Sequence, residues 1–190
     1  MRLETLMNEI REKMYQKIAD NDTMGEEEAA ATSEQVALAA VKYGDLSNQA
    51  SKDYIFDIER FISFEGNTGP YILYTIVRMK SILKKYEASG KDPQAAVLRP
   101  PTSPQEKELM LVLSRYNSTM EDAAAELAPH KICAYVYELA NALNHFYHET
   151  RILAEENEEK QQGYIALLML TKELLEICIN LLGFSAPDKM

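Results

Sequence analysis

Residues 129–156 read PHKICAYVYELANALNHFYHETRILAEE, and this stretch settles the architecture. Apolar residues recur at Ile132, Val136, Leu139, Leu143, Phe146 and Leu153, the three-and-four spacing of one buried helix face. Pro129 suits the first turn of a helix, where a missing N–H has no partner to lose. A second stripe runs beside the first: Tyr137, Asn141, Asn144, His148 and Arg151, with Tyr147 on its edge. A solvated helix face normally carries Lys and Glu. This one carries amides, imidazole, phenol and guanidinium, groups that stack and hydrogen-bond. One helix is therefore expected to offer a core face and a face suited to a planar, polar ligand.

On the C-terminal side, Glu155 to Lys160 reads as a charged loop or a frayed end. Gln161 to Leu182 reads as a helix with Ile165, Leu168, Thr171, Leu175, Cys178 and Leu182 inward, ended by Gly183. On the N-terminal side, Ser103-Pro104-Gln105-Glu106 combines an N-cap serine, a first-turn proline and a glutamate at the third helical position. It opens a helix with Leu109, Val112, Leu113 and Tyr116 inward, and Thr119 caps a shorter one with Met120, Ala123, Ala124 and Leu127 inside. Lys91 to Thr102 is a proline-bearing loop. Before it, Thr68 or Asn67 caps a long helix over Pro70 to about Ser89, stopped by Gly90, with Tyr71, Tyr74, Val77 (or Arg78) and Ile82 sharing a face.

Residues 2–18 form a helix with Leu3, Met7, Ile10, Met14 and Ile18 on one side, broken at residues 20–25. A second helix has Val36, Ala39, Ala40 and Tyr43 inside. Thr32 and Gln35 have capping-box spacing, although helix can equally begin within Glu26–Ala31. Gly44 to Lys52 reads as a loop and Asp57 to Ile62 as a helical turn. With no strand alternation and no internal repeat, the fold class is all-α, a helical bundle.

A net charge of −10 argues against a general nucleic-acid binder, which is normally basic. The charge is uneven, however. Residues 71–101 carry Arg78, Lys80, Lys84, Lys85, Lys91 and Arg99 against only Glu87 and Asp92. Such a segment can meet a phosphate backbone, but on charge alone a solvated helix face is the simpler reading. Cys133 and Cys178 sit at core-like helix positions, which points to a reducing compartment without a disulfide framework. No apolar run is long enough for a membrane span, and the charged, amphipathic N-terminus is not a signal peptide.

No nucleophile–base constellation and no phosphate-binding glycine loop is visible. His145, His148 and Glu149 lack the second copy that a ferritin-like metal helix needs, and read as surface groups. Tyr71, Tyr74, Tyr135 and Tyr137 read as core-rim residues whose hydroxyls reach solvent.

Residues 63–71, SFEGNTGPY, followed by Tyr74 and Arg78, resemble the signature of class I arginyl-tRNA synthetases. The likeness extends over nearly the whole chain, through VKYGDL (41–46), DYIFD (53–57), EKEL (106–109), APHKI (128–132), YELA (137–140), FYHE (146–149) and LLGFSAPDKM (181–190). It implies a helical bundle of the class I synthetase anticodon-binding type. The HIGH and KMSKS motifs of the ATP-binding catalytic domain do not occur. The resemblance therefore implies a C-terminal piece, inactive alone, with residues 1–66 a helical connector from the catalytic domain and residues 67–190 the anticodon-binding bundle. It implies no cofactor here, ATP belonging to the catalytic domain. The implied partners are the anticodon stem-loop of an arginine tRNA and the catalytic domain of the parent chain, with no membrane and a cytoplasmic location.

By position, Tyr147 matches the family's aromatic residue that contacts an anticodon base, and Met190 the C-terminal methionine that approaches the same base. Arg151, one helical turn beyond Tyr147, is expected to meet a loop phosphate or to stack. Asn144 and His148 join from the stripe, and Arg78 from the signature helix. The chain departs from the family pattern at Leu73 (usually glutamine), Ile76 (histidine), Tyr164 and Lys172 (arginines) and Ile177-Cys178 (Asn-Gly). The competing reading is a helical protein-interaction module without RNA contact.

Overall fold

The computed structural model describes residues 2–19 and 24–190. Most of the break expected at residues 20–25 lies outside the described residues. Among the described residues eight α-helices follow one another: α1 (Leu3–Ala19), α2 (Glu26–Leu46), α3 (Ile58–Phe61), α4 (Gly69–Ala88), α5 (Pro104–Ser114), α6 (Tyr116–Ala125), α7 (Pro129–Glu149) and α8 (Glu158–Leu181). Short 3-10 turns lie at Pro93–Ala95 and Ile152–Ala154, and no strand occurs among the described residues. Among the described residues, no helix is long and apolar enough to cross a membrane.

Local chemistry accounts for most helix starts. Asp57, Thr68, Ser103 and Asn157 each accept a backbone N–H of the first turn, and Ser103 with Glu106 completes a reciprocal capping box. Gly90 and Gly183 end α4 and α8 at φ +84° and +82°, a region few other residues enter without strain. The core is shared by α2, α4, α7 and α8, with α1 laid on α2 and α5 and α6 laid on α7. Tyr43, Ile72, Ile76, Leu139, Phe146 and Ile165 are among its fully buried side chains.

Tertiary contacts move several boundaries. Helix α2 starts at Glu26, with three glutamates in its first turn, so Thr32 is a buried interior residue and not a cap. It also runs through Gly44 to Leu46, and the Phe61 ring lies against Gly44, where a side chain would meet the ring at 2.7 Å. In α1 the contact row steps by four from Leu6 to Ile18, leaving Leu3 exposed. Helix α6 begins at Tyr116, and the Thr119 hydroxyl donates back to the Arg115 carbonyl at 2.9 Å. Leu127 and Ala124, expected inside, are exposed. Leu127 takes φ +51° while the Ala128 N–H donates to the Ala123 carbonyl at 2.9 Å, so closing the helix end puts Ala128 inside and turns Leu127 out.

The central helix ends earlier than its pattern suggests. Thr150 is extended, and Arg151 (φ −84°, ψ 70°) is the centre of an inverse γ-turn in which the Ile152 N–H donates to the Thr150 carbonyl at 3.0 Å. The turn buries Ile152 and leaves Leu153 42% exposed, so Leu153 does not continue the apolar face. Helix α8 starts at Glu158, within the expected charged loop. The Tyr135 hydroxyl, expected to reach solvent, is buried without a partner among the described residues.

Candidate nucleic-acid interface

The polar stripe of α7 meets a matching stripe of α4. On α4, Tyr71, Tyr74 and Arg78 are spaced three and four apart and share one face. That face is not the core face, because Ile72, Leu73, Ile76 and Met79 occupy the interior. The family departures Leu73 and Ile76 are thus core residues.

A directed hydrogen-bond chain ties the two helices together. Arg78 Nη1 donates to Asn144 Oδ1 at 2.7 Å, Asn144 Nδ2 donates to the Tyr71 hydroxyl at 2.7 Å, and that hydroxyl donates to Asn141 Oδ1 at 2.7 Å. Arginine has donors only, so it fixes which end of the Asn144 amide is the oxygen, and the rest of the chain follows. Burial pushes the Tyr71 phenol above its ordinary range, while the hydrogen bond from Asn144 and the Arg78 charge pull the other way. The Tyr71 ring also packs edge-on to Tyr137, with centroids 5.9 Å apart.

At the open end of this seam the Arg78 guanidinium lies over two rings, 4.8 Å from the Tyr74 centroid and 5.0 Å from that of Tyr147. Tyr74 is exposed and Tyr147 half-buried, and the exposed His148 ring stands 5.7 Å from Tyr147. Cation–π contact with two rings and a hydrogen bond at its edge hold the guanidinium in one place. The product is a pre-set aromatic and cationic surface, open to solvent.

Arg78, Asn144, Tyr147 and His148 are therefore gathered at one seam. Arg151 is exposed in the turn after α7, so it does not lie a helical turn beyond Tyr147. Met190 arrives from the tail and is half-buried against the core. The tail is held by Lys42, whose Nζ donates to the Gly183 carbonyl at 2.8 Å. Phe184 lies edge-on to Tyr43, and Lys189 pairs with Glu28 at 3.3 Å. Asn141, already part of the polar stripe of α7, joins the seam, and two further members, Tyr71 and Tyr74, are ones the sequence reading places at a core rim. Their signal is the three-and-four spacing on α4, which also fits a core face.

Elsewhere, Tyr164 is buried edge-on to Phe146 at 5.5 Å, and Lys172 pairs with Glu176 at 2.8 Å. His145 Nδ1 faces Glu108 across α5 and α7 at 3.0 Å. Among the described residues, no three His, Cys, Asp or Glu side chains are grouped to hold a metal ion. Burial pushes both the Cys133 and Cys178 thiols up to about 12.

A family model described as the DALR anticodon binding domain matches residues 72–190. Another, described as the catalytic domain of class I (R) tRNA synthetases, matches residues 1–58. The chain is 63% identical over 198 residues to an arginine–tRNA ligase of Agathobacter rectalis and 50% identical over 190 residues to one of Alkaliphilus oremlandii. Both alignments cover 100% of this chain, and 33% and 32% of those proteins. Among solved structures, the arginyl-tRNA synthetase of Plasmodium falciparum superposes with a TM-score of 0.87 and that of Thermus thermophilus with 0.83, each at 26% identity over 100% of this chain. These cover 34% and 32% of the solved chains. The chain thus spans about a third of the length of the curated relatives it matches.

Proposed function

Because the chain belongs to the arginine–tRNA ligase family, with residues 72–190 its DALR anticodon-binding domain, we propose that the α4–α7 seam receives the anticodon loop of an arginine tRNA. In this reading Tyr147 stacks on an unpaired loop base, Met190 approaches the same base from the tail, and Arg78 fixes the ring from behind. Asn144 holds Arg78, His148 borders the ring, and Arg151 faces the loop phosphates from the turn after α7. Residues 1–66, of which 1–58 match the catalytic-domain model, join this bundle to the rest of a catalytic domain of the ligase, where ATP and arginine are handled, and the setting is the cytoplasm.

The observation that carries the reading is the Arg78 guanidinium set against both Tyr74 and Tyr147. Single-stranded loops are recognised by stacking and by edge contacts to splayed bases. An aromatic side chain already fixed in place loses little freedom on binding. The acidic body keeps non-specific attraction to RNA low, so binding should be weak and salt-sensitive.

Fluorescence titration of the chain with an arginine-type anticodon stem-loop tests this. Tyr147→Ala should weaken binding by about 1–3 kcal/mol, the worth of one stacked base, with helix content unchanged. Equal binding to a stem-loop with a scrambled anticodon refutes the specificity.

A further inference from the structure

We propose that Lys80 is the positioning residue that sets the tail, and with it Met190, against the anticodon loop. This inference rests on the reading of the seam given above. Lys80 Nζ donates to the Ala186 carbonyl at 3.2 Å, the Pro187 carbonyl at 3.1 Å and Asp188 Oδ1 at 3.1 Å, and lies 3.6 Å from Glu176 Oε1. An ammonium has three donors, and here the tail takes all of them. The Lys80 side chain is only 17% exposed, whereas Lys84 and Lys85 on the same helix are exposed. Lys80 is therefore occupied by the protein, while its neighbours remain free to meet solvent or phosphate.

The tail needs such a partner. Pro187 has no N–H, so it cannot donate to a backbone turn there, and the half-buried carbonyls beside it require an outside donor. Lys80 also pulls the Asp188 carboxyl below its usual range.

The same helix carries both halves of the arrangement. Lys80 is two residues from Arg78, about 200° around the helix and about 3 Å along it. One flank of α4 therefore presents Tyr74 and Arg78 to the seam, and the other holds the tail. A rigid helix sets the distance between them, so the tail position and the aromatic surface are fixed by one body.

The test uses the full chain and its Lys80→Met, Lys80→Arg, Met190→Ala and Lys80→Met/Met190→Ala variants. Amide exchange over residues 183–190 is measured, along with titration by arginine-type and scrambled stem-loops at several salt concentrations. Lys80→Met should speed tail exchange and lower the preference for the arginine-type loop about tenfold, the scale of one base contact. Affinity for the scrambled loop and the salt slope should stay unchanged. Lys80→Arg, which keeps charge and donors, should restore most of the preference. The double variant should discriminate no worse than Met190→Ala alone, because both act through the tail.

Unchanged tail exchange in Lys80→Met overturns the inference, as does a loosened tail with full preference retained. So does equal weakening towards both loops with a salt slope reduced by about one, the mark of a direct phosphate contact. If the wild-type chain shows no preference at all, the anticodon reading falls and this inference with it. Preference that survives in Lys80→Met removes this inference alone.

Discussion

Helix α4 treats two of its neighbours, α2 and α7, in opposite ways. Against α2 it is dry and close: Gly69 sits on the backbone of Ala39 and Ala40, and Ile72 and Ile76 are fully buried. Against α7 it is open and polar, with half-exposed tyrosines, an arginine and two asparagines joined by hydrogen bonds. The dry contact removes apolar surface from water and sets where α4 stands. The polar seam uses that placement: its groups exchange water for one another at small net gain, and leave ring faces available. Stability and the proposed recognition thus fall on different flanks of one helix, and mutations should separate them.

The largest effect is expected where α7 joins the dry core. Phe146 is fully buried, and Phe146→Ala should cost about 3–5 kcal/mol in urea unfolding followed by circular dichroism. A loss below about 1 kcal/mol would contradict the placement of the core. Next comes Gly69→Ala. The added methyl meets the Ala39 backbone, which cannot swing aside as a side chain can, so about 1–3 kcal/mol should be lost. Gly25→Ala meets no described atom but replaces the N-cap glycine of α2 with a poor capping residue, so it should cost less than Gly69→Ala, up to about 1 kcal/mol.

On the polar flank the order of effects reverses. Asn144→Ala should cost no more than about 1 kcal/mol of stability, since water can replace the amide for the half-exposed Tyr71 and Arg78. Stem-loop binding should fall more than stability does, because Arg78 loses the group that orients it. Equal losses in both measurements would erase the distinction between the flanks.

The smallest effect at neutral pH concerns the buried thiols. Their folded values of about 12 lie above the ordinary thiol value of about 8.5. The folded chain keeps these protons where the unfolded chain releases them. Their contribution to stability is therefore complete below about pH 8.5 and is lost as pH rises towards 12. Urea midpoints measured from pH 7 to pH 10.5 should decline, and the thiols should resist alkylation until the chain unfolds. A flat profile would mean the thiols reach water in the native state.

The starts of α4 and α5 were legible because caps are local: Thr68 and Ser103 act on residues three positions away. The α7 stripe was legible because a helix repeats every 3.6 residues. Its partner was not. Spacing shows which α4 residues share a face but says nothing of what that face meets, so Tyr71 and Tyr74 fitted a core rim as well as a binding seam. Arg151 was misplaced because the apolar pattern continues towards Leu153, while the burial of Ile152 turned the chain one residue earlier.

Residue types and their intervals were enough to establish an all-α chain, most helix starts, the polar stripe from Tyr137 to His148 and the synthetase signature at Ser63 to Tyr71. Each depends on neighbours within a turn or two, or on a motif kept in one stretch. The end of α7, the outward turn of Leu127, the setting of Arg78 between Tyr74 and Tyr147 and the seizure of the tail by Lys80 arose from packing. Arg78 and Asn144 are 66 residues apart, and Lys80 and Asp188 are 108 apart. Contacts at such separations follow from how whole helices fill space against each other, which no local pattern encodes.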